Sequence, residues 1–343
     1  MLNEPQRRRR AGAGAGAAAG LCLVFALLTP SLAMAYQGDV HQKLTFHAAK
    51  WFNRCLAGTT VPPLSPLQVR YAAKSNVALA DSNLFVRMFR WNYYDRGGQN
   101  ERSALWLVST RLHQHFNKVT QRLEQASEPA ARYQELGRIV YYLQLMTSPS
   151  KVVPVYTGRF WRGSFSDRFD RYRLDDDALD AALADSCDFL DDPPLDFLSL
   201  LVESASATLD AVRSPIGGLP TTWQAFWKIS SDPDSFGEYG PAGNNFGRKT
   251  DFPCGDARSK QRRCVLLKRD PIYAEFALER HVAAARSTAR AMLLLQRQYF
   301  DSAQRSEKGP EKKPEQKPEP EPGIDPTVDP NSDTASRETG DAE

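Results

Sequence analysis

The sequence is poor in the residues that most catalytic centres need, and each shortage removes a class of function. It has five histidines in 343 residues and no Cys-x-x-Cys pair, so a closed zinc frame built from paired cysteines is excluded. It has no Gly-x-Ser-x-Gly elbow, which removes the usual serine-hydrolase architecture. No glycine-rich phosphate loop, internal repeat or alternating strand pattern occurs, so neither a nucleotide-binding α/β fold nor a repeat array is expected.

What is present begins with two ends that do not belong to a folded body. Residues 1–35 carry a basic run, Arg7 to Arg10, then an apolar stretch from Ala11 to Leu28 and the small-residue site Ala33-Met34-Ala35. This is the pattern of a secretory signal peptide cleaved after Ala35, the alternative being an uncleaved anchor. Residues 301–343 are dominated by Pro, Glu, Lys and Asp and hold hardly an apolar side chain. Such a segment buries too little surface to offset its chain entropy, so a disordered tail is expected. One globular unit remains, residues 36–300, in an exported protein that is secreted or periplasmic.

Charge and cysteines sharpen this picture. The formal net charge is +3, with a modestly basic body and an acidic tail, so an anionic ligand, a membrane surface or a protein partner are the partner classes left open. Cys55, Cys187, Cys254 and Cys264 follow the signal segment; an even number in an exported chain suggests two disulfides, with three possible connectivities. The short loop between Cys254 and Cys264 favours that pair, which leaves Cys55 with Cys187.

Periodicity makes the body all-α. Helices are expected over Asp39 to Leu56, Leu67 to Leu79, Arg102 to Gln125, Pro129 to Thr147, Asp177 to Leu190, Leu195 to Val212 and Asp270 to about Phe300. The fourth is the clearest: Ser127 can cap it, Pro129 suits its first turn, Leu136, Ile139, Val140, Leu143 and Met146 form its apolar stripe, and Pro149 ends it. Between the last two lies a loop-rich insertion, residues 214–268, rich in Gly, Pro, Asn and aromatics and containing the Cys254 and Cys264 pair.

The segment Leu136 to Lys151, the block Trp91-Asn92-Tyr93-Tyr94-Asp95 and the start Tyr36-Gln37-Gly38-Asp39-Val40-His41 occur in this order. Together they resemble the zinc-dependent phospholipase C and single-strand-specific nuclease superfamily. The resemblance covers about residues 36–175. It implies a multi-helix single domain in which three zinc ions sit in a cleft, held by the mature N-terminus, a His near the sixth position, and a central helix reading His-x-x-x-Asp-x-x-x-x-x-His. Carried onto this chain, it keeps Tyr36, His41, Asp81 and Asp170 as vestigial metal ligands. It puts Asn92, Tyr141, Leu145, Lys151 and Ser166 where ligands should stand. Leu145 cannot coordinate a cation, and an ammonium at Lys151 repels one.

The resemblance therefore implies the fold of an ester-bond hydrolase with its zinc chemistry impaired: a pseudoenzyme acting in binding or as a scaffold, with no cofactor. The alternative is an active phosphodiesterase on phospholipid or nucleic acid, with zinc in a reduced or rebuilt site. In the first case Lys151 is expected to enter the former metal cleft near Asp81 or Asp170. Elsewhere, His113 and His115 lie two apart and point to different helix faces, and His281 reads as a surface residue.

Overall fold

The computed structural model describes residues 38–81, 92–97, 112–155, 166–184, 186–191, 194–233, 235–255 and 263–307. The expected signal segment, Tyr36, residues 102–111 of the third expected helix and residues 308–343 of the tail lie outside them. The chain divides at Asp301; of the second unit only residues 302–307 are described, and they are helical.

Eight α-helices make up most of the described body. Helix α1 (Gly38–Cys55) buries Val40, Leu44, Ala48, Trp51, Phe52 and Cys55 on one face, the spacing of an amphipathic helix. Helix α2 (Pro66–Ala80) starts where a capping box fixes it: the Ser65 hydroxyl accepts from the Gln68 N–H, and the Gln68 side chain accepts from the Ser65 N–H. A cap of this kind is worth about 1 kcal/mol. Helix α3 (Leu112–Gln125) turns Leu112, Phe116, Val119 and Leu123 inward.

Helix α4 (Pro129–Leu145) is the axis of the body and packs against α1, α2 and α3. Its second half is buried on nearly every face, polar residues included, so it is a core helix rather than an amphipathic surface one. Gly137 permits the closest approach: a Cβ there would fall 2.1 Å from the carbonyl oxygen of Ala72 on α2. Two details differ from the sequence expectation. The cap is Glu128, without a side-chain bond, not Ser127, because Pro129 at the first position leaves one fewer N–H to satisfy. The helix stops at Leu145, and Pro149 opens a new short helix, α5 (Pro149–Val152), instead of closing the old one.

The expected helix Asp177 to Leu190 is also divided. Helix α6 (Asp176–Ala184) ends before Cys187, which is tied to Cys55 of α1, and a 3-10 turn follows over Asp188–Leu190. Helix α7 (Phe197–Arg213) is capped by Asp196, whose carboxylate accepts from the Ser199 N–H at 2.6 Å. Helix α8 (Pro271–Glu307) begins as Asp270 accepts from the Ile272 N–H, and apart from the exposed Arg286 it is buried from Ala284 to Gln296. No helix among the described residues is long and apolar enough to cross a membrane.

Residues 214–268, the loop-rich insertion of a mainly helical body, also carry short strands. They hold two antiparallel hairpins: β1 (Trp227–Lys228) with β2 (Glu238–Tyr239), and β3 (Thr250–Pro253) with β4 (Arg263–Leu266). The strands are too short to leave a readable period of two. The second hairpin is closed by Cys254–Cys264, so both disulfides join the pairs that loop length favoured. This segment is part of the core. Trp223, Phe226, Trp227, Phe246 and Phe252 are buried and pack with Phe169, Tyr273 and Phe276, the Trp223 and Phe276 rings lying 4.1 Å apart.

Candidate functional site

Two buried polar groups involve several of the residues singled out in the sequence. The first lies at the centre of the helical body. His41, Thr45, Asn76, Gln144 and Thr288, from α1, α2, α4 and α8, are all wholly buried. The Thr45 hydroxyl donates to the His41 carbonyl and the Thr288 hydroxyl to the Ala284 carbonyl, so each can only accept from its other neighbours. Gln144 Nε2 donates to both, and Asn76 Nδ2 donates to Thr45 and to Gln144 Oε1. Gln144 Oε1 is thereby left to accept from His41 Nδ1 at 2.7 Å, which puts the ring hydrogen on Nδ1 and the lone pair on Nε2.

Burial draws the His41 pKa down to about 4, against the opposing effects of the Gln144 hydrogen bond and Asp39. The imidazole is neutral at pH 7. Tyr141 packs over it, ring centroids 5.1 Å apart.

The second group lies where α5 meets the 3-10 turn Phe169–Arg171. Asp170 is wholly buried, accepting from the Ser148 hydroxyl at 2.5 Å and the Ser150 hydroxyl at 3.5 Å. Asp167, also buried, accepts from the Phe169 N–H at 2.8 Å, Trp227 Nε1 at 2.9 Å and the Tyr239 hydroxyl at 2.8 Å. Burial pushes Asp170 up to about 7; Lys151 opposes this and Asp167 adds to it. Burial raises Asp167 as well, against its three hydrogen bonds and Lys151. Two carboxyls in one buried site disfavour each other's ionisation, so they titrate as a pair.

The backbone around this pair is clamped from both sides. The Lys151 carbonyl accepts from the Tyr94 N–H at 2.8 Å. Asn244, from the 214–268 segment, accepts from the Arg168 N–H and donates to the Ser166 carbonyl. Arg96 reaches the carbonyls of Ser230 and Asp232.

The residues singled out in the sequence fall into separate places. His41 and Tyr141 meet in the central network, beside the buried and apolar Leu145. Asp170 and Lys151 interact electrostatically, and Ser166 is buried next to Asp167, its hydroxyl accepting from Arg171 Nε at 2.6 Å. Asp81 is exposed at the end of α2, with its carboxylate against Gly38, where an added Cβ would lie 2.6 Å from Oδ1. Asn92 is half-buried, and Tyr36 is outside the described residues. Among the described residues, Asp81 shares no hydrogen bond or ion pair with His41 or Asp170. His281 is a correction: it is buried against Phe169 on α8, and burial draws its pKa down to about 4.

The described donors do not fit a zinc cluster. Asp170 is engaged by two hydroxyls and faces a lysine charge, His41 Nδ1 is committed to Gln144, and Leu145 supplies no donor atom. No group of three or more His, Cys, Asp or Glu side chains is placed to hold a metal ion among the described residues.

Sequence reasoning passed over Gln144, Asn76, Thr45, Thr288 and Asp167. Gln144 had left a signal, a polar residue inside the apolar run Ile139 to Met146; the others had none. Comparisons of the chain with protein-family models, with curated proteins and with solved structures return no match.

Proposed function

We propose that the chain is an exported binding or scaffold protein in which a phospholipase C and nuclease-like helical body has exchanged its metal cleft for internal polar packing. The observation that carries this reading is the hydrogen-bond network centred on Gln144, which bonds His41, Asn76, Thr45 and Thr288 and so uses the histidine and the central helix for internal bonds. The charge of Lys151 beside Asp167 and Asp170 supports it, since a fixed ammonium offsets buried carboxylates that otherwise need a cation. Two disulfides support export to an oxidising compartment.

Elemental analysis of the purified protein, refolded with and without zinc, tests the reading. The expected result is less than one zinc per chain and a thermal transition that chelator does not move. Multiple zinc ions per chain would overturn it. Turnover of a phosphodiester substrate with zinc supplied, abolished in His41→Ala, would favour the working phosphodiesterase instead.

A further inference from the structure

Helices α7 and α8 do not close on each other completely. Between them lies a cavity of about 350 Å³, within the size range of small-ligand sites. Small residues from both helices line it, among them Ala207, Ser204, Ala283 and Ser287. The Ser204 hydroxyl donates to the Leu200 carbonyl at 2.7 Å, so the 2.7 Å contact between the two serines takes the Ser287 hydrogen. Neither hydroxyl is left to donate into the cavity.

The charged lining is arginine-rich. Arg280, Arg286 and Arg290 stand on α8, and the counter-charges in the lining are Glu203 and Glu279, three positive against two negative. These arginines are not equivalent. Arg290 is the inner one: its side chain is only 8% exposed, whereas that of its ion-pair partner Glu203 is 55% exposed. Arg286 pairs with Asp188, both about half exposed, and Arg280 donates to the Ala207 carbonyl at 3.2 Å.

A buried guanidinium requires an anion next to it. One anion beside it is the Glu203 carboxylate, on a flexible and largely solvated stem that can swing into water. The planar guanidinium suits two-point contacts with a flat or tetrahedral oxyanion.

We propose that this cavity binds a small oxyanion, a carboxylate or a phosphate, against Arg290, with Arg280 and Arg286 at its mouth and Glu203 as the internal carboxylate that the ligand displaces. The cavity shares no residue with the His41 or Asp170 groups, so the proposal stands independently of the metal question.

Calorimetric titration of the purified full chain with inorganic phosphate and, separately, with acetate tests it. The expected result is saturable binding of at least one probe. Arg280→Gln and Arg286→Gln, both at the cavity mouth, should each weaken binding by about tenfold, the loss of one charge-assisted contact. Glu203→Gln should tighten binding several-fold, on the order of the relief from a competing carboxylate. Phosphate binding alone would point to a phosphate-bearing ligand and acetate binding alone to a carboxylate. Three results would overturn the proposal: no saturable binding of either probe at about 10 mM, ten times a millimolar Kd; equal affinity in both arginine variants; or weaker binding in Glu203→Gln.

Discussion

The two buried polar groups are held together by opposite means. Around Gln144 every partner is neutral, the hydrogen bonds run in one consistent direction, and the only titratable member, His41, is held in its uncharged form. Around Asp170 two carboxyls and a lysine share a buried site, and both carboxyls are pushed toward the protonated form despite four side-chain hydrogen bonds between them. A neutral network has no charge to offset, although Asn76 Oδ1 is buried here without a hydrogen bond, whereas a charged one remains dependent on pH and on its counter-ion. The first ties α1, α2, α4 and α8 together; the second hangs the 214–268 segment on the body through Trp227 and Tyr239.

Removing the hub of the neutral network should show its worth most clearly. Gln144→Met keeps the volume but strands His41 Nδ1, one Asn76 hydrogen and acceptor capacity on both threonines. Each stranded buried group costs about 1 to 3 kcal/mol, and because these groups act together a total of about 3 to 5 kcal/mol is expected. Chemical denaturation at pH 7 measures it. A loss below about 1 kcal/mol, in the range of surface changes, would show that the network adds little to stability.

The next test separates the two groups by pH. Asp170 has a folded pKa of about 7 against an ordinary value of 3.8, so its contribution is fully present below 3.8 and is lost as pH rises through 7. His41 and His281 are shifted the other way, from 6.5 to about 4; their contributions are present above 6.5 and are lost as pH falls through 4. Each histidine is worth on the order of 3 kcal/mol over that range. Stability should therefore rise from pH 4 to 6.5, where two histidines outweigh one carboxyl, peak near pH 6.5, fall slightly to about pH 7 as the carboxyl acts alone, and level off above that. Asp170→Asn should steepen the acid limb, where the carboxyl no longer opposes the histidines, and remove the small fall between pH 6.5 and 7; denaturation curves between about pH 4 and 9 read both.

The contrast also marks what the sequence made legible. Helix positions followed from apolar spacing, because that signal acts within a few residues of the chain, whereas the caps Ser65 and Asp196 were passed over. The disulfides followed from loop length. The hairpins of 214–268 did not, because β1 and β2 have two residues each and are held by tertiary contacts such as Trp227 to Asp167. His281 was misread as exposed because charged neighbours, Glu279 and Arg280, surround it in sequence while α8 turns it toward Phe169. Asp167 and Gln144 took their roles from partners 60 to 144 residues away, which no local pattern encodes.

Lys151 gives the smallest effect and the finest test of the charged group. It sits on α5, half-buried, and acts on Asp167 and Asp170 but lies outside their hydrogen bonds, so its removal should cost less than breaking the neutral hub. Lys151→Met keeps the stem and deletes the charge. With the ammonium gone, nothing opposes burial except the hydroxyls and the N–H groups, and the Asp170 carboxyl should move further above its present pKa. At pH 8, where wild-type Asp170 is ionised, the variant should lose about 1 to 3 kcal/mol, a reduced form of the cost of stranding a buried charge. At pH 5 the carboxyl is protonated in both proteins, Lys151 has one fewer anion to offset, and the difference should shrink to about 0.5 kcal/mol or less, as at a surface site. An equal loss at both pH values would mean that Lys151 contributes through its stem packing and not as a counter-charge.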